Sequence, residues 1–296
     1  MVSWKFVTGV IAAAAAVVSA APLEKRIVSG KNFDHFMVIV LENEDYAAVM
    51  ADSYFSTVAA KHNGNLLTNY QAITHPSQPN YIAMIGGSTL GFSRLELFII
   101  KSNFFSKSIV DILEPAGITW KEYAENYTQG SNGACNTATS LSNSLYMRKH
   151  NPFISFTTVT SNASRCKNIV PATQLQTDIN SGSVPQFMFY TPNMNDDGHD
   201  TSLSTASKWT KGFLEPLLSN TAFNKNLAVL ITWDETKDYD IPNQVWSVLV
   251  GSSVKALANN TDNTAYNHYS ILATVEENWS LGNLGQGDVS ATPFNI

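Results

Sequence analysis

Four segments of this chain are too nearly continuous in apolar residues to face water on either side: 36–41 (FMVIVL), 187–190 (FMFY), 227–233 (LAVLITW) and 245–250 (VWSVLV). A strand with one wet face alternates apolar and polar residues, whereas a strand covered on both faces does not. Helical spacing fills the stretches between them. Residues 46–62 carry it up to a stop at Gly64, 108–114 (SIVDILE) up to Pro115 and Gly117, 201–218 with Pro216 near the end, and 268–279 closes the series. Strands alternating with helices predict an α/β fold with a mainly parallel central sheet and helices on both faces. No internal repeat and no linker divides the chain, so residues 27–296 read as one domain.

In such sheets ligands collect at the carboxyl ends of the strands. The first run leads into Glu42, Asn43, Glu44 and Asp45, the second into residues 191–200 (TPNMNDDGHD), and the third into Asp234 and Glu235. Composition makes these clusters conspicuous. Charged residues are 14% of the chain, where about 25% is usual. Acidic residues after a strand commonly cap the next helix, which would account for one such cluster; three at one sheet edge point to a metal or catalytic site. The same composition argues against other classes. A hydrophobic content of 44% is too high for an acidic disordered chain. With 18 Lys and Arg against 24 Asp and Glu there is no basic excess to displace counterions, so nucleic acid is not an expected partner.

Residues 1–20 have the form of a secretory signal peptide: Lys5, a short apolar run over 10–18, then Ser19 and Ala20 at the cleavage position. The apolar run falls short of the roughly 20 residues a spanning helix needs. Residues 21–26 end in Lys25 and Arg26, a dibasic pair of the kind cut by kexin-type proteases, and read as a propeptide. No later apolar stretch is long enough to span a membrane, and residues 292–296 carry no hydrophobic lipid-anchor tail, so no membrane anchor is expected. The expected location is secreted, in the extracellular medium or the cell wall. Oxidising conditions there favour a disulfide between Cys135 and Cys166 over two separate buried thiols. Acceptor triplets for N-glycosylation begin at Asn126, Asn162, Asn259 and Asn278.

Between the first two acidic clusters lies THPSQPNY, residues 74–81, followed by IAMIGG. Two prolines fix the backbone around Ser77, and the apolar run behind it predicts a helix starting there. A hydroxyl at a helix N-terminus sits where free amide groups and the helix dipole favour an anion. That place suits a nucleophile attacking phosphate; taken alone, it equally suits a capping serine. Its neighbours add the context. With residues 40–43 (VLEN), 75–81, 146–153 (YMRKHNPF), 193–201, 231–235 (ITWDE), 268–270 (HYS) and 274–276 (TVE), the chain resembles the phosphoesterase family that includes secreted fungal acid phosphatases and bacterial phospholipases C, within the alkaline-phosphatase-like superfamily. The resemblance spans roughly residues 36–288 and is specific through the order and spacing of these segments.

The resemblance implies hydrolysis of small phosphate monoesters through a phosphoserine at Ser77. Glu42, Asn43, Asp234 and Glu235 would hold one divalent metal ion. All-oxygen ligands suit a hard or borderline cation, and the histidines and aspartates of a two-zinc alkaline phosphatase are missing. His199 would protonate the leaving alkoxide, while Asn80, Lys149, His150 and His268 would bind the substrate phosphate. Unperturbed imidazoles are largely protonated near pH 5, which fits an acid optimum. His35 and His62 lie outside the functional segments and read as structural. A phosphodiesterase or phospholipase C on the same fold, or a non-catalytic secreted protein retaining it, are the alternatives; a serine esterase lacks its G-x-S-x-G elbow at Ser77. Residues 91–107 depart from the family pattern. An apolar run over 95–100 stands where relatives have a polar loop, either as an insertion against a hydrophobic side of the substrate or as a retained intron or frameshift in the gene.

Overall fold

The computed structural model describes residues 1–2, 27–91 and 106–296. The signal-peptide and propeptide readings, and nearly all of the departing segment 91–107, fall outside the described residues. Eight strands form the central sheet: β1 (His35–Leu41), β2 (Asn65–Leu67), β3 (Trp120–Ala124), β4 (Ile169–Pro171), β5 (Phe187–Thr191), β6 (Leu227–Trp233), β7 (Ser247–Val250) and β8 (Thr261–Asp262). Their spatial order is β8-β2-β7-β6-β1-β5-β3-β4. Only β7 runs against its neighbours, β6 and β2; the other pairings are parallel. The sheet is therefore mainly parallel, as the uninterrupted apolar runs require.

Every residue of β5 and β6 is buried, as are all of β1 beyond His35. A strand reaches that state only when both of its faces are covered. Each Val, Leu, Ile or Phe side chain so buried contributes roughly 1.5–3 kcal/mol, so the central strands are the best-anchored part of the molecule. One apolar cluster extends from Phe33 to Phe294. Within it Phe55 sets its edge against Trp233 and Trp246, at centroid distances of 5.9 and 4.9 Å.

The single helix expected over 46–62 is two, α1 (Tyr46–Ala51) and α2 (Val58–Lys61). Asp52 ends the first. Its Oδ1 accepts the amides of Tyr54 at 2.9 Å and Phe55 at 3.1 Å and the hydroxyl of Ser207 at 2.8 Å, giving the backbone partners that compete with helix. The 108–114 helix is one α turn, Val110–Leu113, continued by a 3-10 turn over Glu114–Ala116. The apolar run at 245–250 pairs as a strand only from Ser247. The remaining helices that matter here are α3 (Ser77–Gly86), α4 (Leu203–Ser219) and α5 (Ser270–Asn278). Gly87, at φ 69°, stops α3 in the left-handed conformation that glycine adopts without strain.

Cys135 and Cys166 are joined by a disulfide. Asn126, Asn162 and Asn259 are exposed, whereas the fourth acceptor expected from the sequence, Asn278, is placed differently. It is buried, its Oδ1 accepts the amides of Asn32 and Phe33 at 2.8 and 3.2 Å, and its Nδ2 donates to Phe33 O at 3.0 Å. A glycan would have to replace this clasp on the start of the chain. Among the described residues no helix is long and apolar enough to cross a membrane.

Candidate active site

Parallel pairing of β1 with β6 sets Leu41 opposite Trp233, so the next residues, Glu42 and Asp234, emerge together at the carboxyl edge of the sheet. Backbone bonds fix them there: Asp234 N–H donates to Leu41 O at 3.0 Å, and Glu42 N–H to Asp197 O at 3.0 Å. Asn43 adopts φ 48°, a left-handed conformation that asparagine tolerates. This turn aims its amide N–H at Asp234 Oδ1, 3.2 Å away, and its side-chain Nδ2 at Glu235 Oε1, 3.1 Å away. From the other side α3, buried along its whole length, brings in Ser77 as its first residue. Ser77 Oγ lies 2.9 Å from Glu42 Oε2, 3.2 Å from Glu235 Oε1 and 3.5 Å from Asn43 Oδ1. One hydroxyl hydrogen faces three acceptor oxygens.

The carboxylates are poorly compensated by the protein. Glu42 and Asp234 are fully buried. Burial pushes the Glu42 carboxyl up and that of Asp234 well up, the latter further raised by the charges of Glu42 and Glu235. Tyr81 and Ser77 lie close enough to ease these charges, but Asp234 Oδ2 lacks a hydrogen-bond partner, and Glu42 Oε1 has only an unaligned contact with His150 Nε2 at 3.1 Å. Buried acceptors without donors are costly unless a cation serves them. Oxygen donors from Glu42, Asn43, Asp234 and Glu235 fit a divalent ion. Among the described residues no three His, Cys, Asp or Glu side chains form a preformed cage, so the fit rests on these uncompensated oxygens.

Basic side chains adjoin the carboxylates. His150 is buried, with Nε2 3.1 Å from Glu42 Oε1 and Nδ1 3.6 Å from Asp197 Oδ2, and its ring stacks on Tyr81 at a centroid distance of 5.1 Å. Burial, reinforced by the neighbouring charges of Lys149 and His199, holds its pKa well below the usual imidazole value. Asp197 is pushed up to about 9 by burial and by Glu42. His199 is more open. Its Nδ1 lies 2.7 Å from Asp200 Oδ1, and its Nε2 lies 3.4 Å from Lys149 Nζ. The 193–200 loop carrying it is tied down by Asn193, whose amide and Nδ2 both donate to Glu125 Oε2 at 2.9 Å.

Two expected ligand-binding residues sit behind the site. His268 has both ring nitrogens engaged, Nδ1 with Tyr70 OH at 3.1 Å and Nε2 with Asp234 O at 2.7 Å, and burial lowers its pKa to about 4. The expectation of an imidazolium near pH 5 is therefore corrected for both His150 and His268, because desolvation disfavours their charged forms. Asn80 spends its side chain on the backbone: Oδ1 accepts from Ile73 and Thr74 at 3.1 and 3.0 Å, and Nδ2 donates to Thr74 O at 2.7 Å. Asp45, in the first acidic cluster, likewise holds main chain, accepting from Lys237 and Asp238 at 3.0 Å.

Sequence reasoning assigned no role to His75, Tyr81, Asp197 or Tyr239, all of which line or support the site. His75 Nδ1 lies 2.5 Å from Glu235 Oε2, its ring stacks on Tyr239 at 3.9 Å, and Tyr239 OH donates to Glu235 Oε1 at 3.2 Å. His75 and Asp197 lie inside the segments already singled out and were within reach of the sequence. Tyr239, in a loop beyond the third acidic cluster, carried no local signal.

The fold, taken alone, is similar to that of a protein of the alkaline phosphatase superfamily. A solved structure of a protein of that superfamily from Vibrio parahaemolyticus shares the fold, with a TM-score of 0.57 at 10% identity, over 90% of this chain and 71% of that one. The chain belongs to the phosphoesterase family, whose model matches residues 49–282. A probable acid phosphatase of Kluyveromyces lactis is 42% identical over 274 residues, 91% of this chain and 63% of its own length. A phosphate-repressible acid phosphatase of Penicillium chrysogenum is 42% identical over 265 residues, 89% of this chain and 63% of its own length. The chain thus spans less than two thirds of the length of these relatives.

Proposed function

We propose that this chain is the catalytic unit of a secreted acid phosphatase, hydrolysing small phosphate monoesters through a phosphoserine at Ser77 with one divalent metal ion at Glu42, Asn43, Asp234 and Glu235. The observation that carries the reading is the crowding of three side-chain oxygens around one hydroxyl at the start of a buried helix. A phosphate monoester dianion repels nucleophiles, so its charge must be neutralised and the attacking and leaving oxygens held in line. The chemistry that a divalent ion supplies at such a site is neutralisation of phosphoryl charge and a lowered pKa for a bound hydroxyl.

The rest falls to the chain itself. Ser77 Oγ–H donates to Glu42 Oε2, which gives the proton an acceptor as Oγ bonds to phosphorus and the bond to the leaving oxygen breaks. The amides at the start of α3 and the ammonium of Lys149 offer positive charge to the phosphoryl oxygens. His199, with Nδ1 held by Asp200, gives a proton to the leaving alkoxide and takes one from the water that releases orthophosphate from Ser77. His150 faces the same space between Glu42 and Asp197 and contacts the phosphate. His268 and Asn80 act one layer back, by fixing Asp234 and the turn before Ser77. The disulfide, the exposed acceptors at Asn126, Asn162 and Asn259, and the leader-like residues 1–26 support secretion.

The test is Ser77→Ala assayed with p-nitrophenyl phosphate across pH, together with metal analysis of the purified protein. Activity should fall by a factor on the order of 10³ or more with circular dichroism unchanged, and acid-quenched wild type should carry a phosphate on the Ser77 peptide by mass spectrometry. Full activity of the variant overturns the assignment. Turnover of bis-esters or phosphatidyl substrates without monoesters would make the protein a phosphodiesterase or phospholipase C, and neither turnover nor metal would make it non-catalytic.

A further inference from the structure

Glu122 stands in the middle of β3, fully buried, and the chemistry above gives it nothing to do. Its Oε1 is 2.7 Å from Thr191 Oγ1 at the end of β5, and the same hydroxyl is 3.2 Å from the main-chain carbonyl oxygen of His150. Sheet register explains the meeting: Glu122 pairs with Phe189, so Glu122 and Thr191 share a face of the sheet as diagonal neighbours. A hydroxyl has one hydrogen, and here it faces both a carboxyl oxygen and a carbonyl oxygen. Both contacts are good only if Glu122 carries a proton, so that its O–H donates to Thr191 Oγ1 while Thr191 Oγ1–H donates to His150 O.

The surroundings favour that state. Burial pushes the Glu122 carboxyl well above its usual range, against the opposing hydrogen bond of Thr191. The phenols of Tyr127, Tyr146 and Tyr190 lie near enough that a charge on Glu122 would raise their pKa values. The carbonyl at the end of the relay belongs to the residue whose imidazole stacks on Tyr81 beside Glu42.

We propose that Glu122 is a positioning residue: a buried carboxylic acid that, through Thr191, clamps the main chain of His150 and so holds its imidazole at the site. Only what His150 does for a substrate depends on the phosphatase reading; the clamp itself does not.

Four variants of the full chain test it: Glu122→Gln and Thr191→Ser, which keep the donors, and Glu122→Met and Thr191→Val, which keep the volume and remove them. The infrared difference spectrum between wild type and Glu122→Gln should contain a protonated-carboxyl stretch. With p-nitrophenyl phosphate, the Met and Val variants should raise KM, and the inhibition constant of inorganic phosphate, about tenfold or more, with a smaller change in kcat. The Gln and Ser variants should stay near wild type. Absence of the infrared band, wild-type KM in both Met and Val variants, or an equal loss in Glu122→Gln overturns the clamp. A wild type that turns over no monoester overturns the functional reading instead. The clamp is then decided by the infrared band and by a crystal structure of Thr191→Val, where an unmoved His150 would refute it.

Discussion

Asparagines in this chain do different work according to where their amides point. Asn43 turns the chain and links Asp234 to Glu235, whereas Asn278 clasps the backbone of Asn32 and Phe33. Both are equally polar in the sequence. Mass spectrometry of the secreted protein should find glycans confined to Asn126, Asn162 and Asn259, with Asn278 bare. Asn278→Ala should lower stability by about 1–3 kcal/mol, since the buried amide of Phe33 and the amide of Asn32 lose their acceptor, as denaturant unfolding would measure. His75 illustrates a supporting role. It holds Glu235 Oε2, so His75→Ala should weaken metal retention by roughly 10–100-fold, seen as inactivation at lower chelator concentration than wild type. Unchanged chelator sensitivity would remove His75 from that role.

Elements matter here through their ends. The first residue past β1 or β6 is a carboxylate, the first residue of α3 is the serine, and Asn80 inside α3 reaches back to hold Ile73 and Thr74 before it. Helix and preceding turn are thus one unit. Asn80→Ala should release the turn, cut kcat about tenfold by misplacing Ser77, and lower the unfolding temperature; kinetics unchanged in a destabilised variant would make Asn80 purely structural. The central strands were readable from composition because continuous burial leaves an unmistakable run of apolar residues. β3 was not, because Lys121 and Glu122 interrupt the run, and a buried Glu122 is sensible only once Thr191 is beside it. The break between α1 and α2 has a part the sequence hides: Asp52 Oδ1 accepts the nearby amides of Tyr54 and Phe55, but it is also fixed by the hydroxyl of Ser207, more than a hundred residues away.

At the scale of the molecule, several buried acids favour acid conditions. Burial raises Glu125 to about 7 and Glu276 to about 8, and raises Glu122 well above its ordinary value. The folded protein therefore keeps protons that the unfolded chain has released once pH exceeds the ordinary glutamate range. Stability is fully present below that range and is lost as pH rises through about 7 to 8. The unfolding temperature should be higher near pH 6.5 than near pH 8.5, a window above the one in which the lowered imidazoles of His150 and His268 act the other way, and Glu276→Gln should flatten the difference. A molecule equally stable at both would show that these acids are ionised when folded.

Local chemistry settled much about this protein before any coordinates. Continuous apolar runs demanded a sheet covered on both faces, Glu42, Asp234, Glu235 and His199 stood in the segments after its strands, and the resemblance to the phosphoesterase family joined Ser77 to them. Distance and burial are not encoded locally, and those were decided by the tertiary structure. Parallel register put Glu42 beside Asp234, and burial lowered the pKa of His150 and of His268. Packing engaged His268 and Asn80 with protein partners, buried Asn278, and brought Glu122 through Thr191 to the backbone of His150. A side chain's type states what it can donate or accept, but its charge and its partner depend on which distant segments exclude water around it.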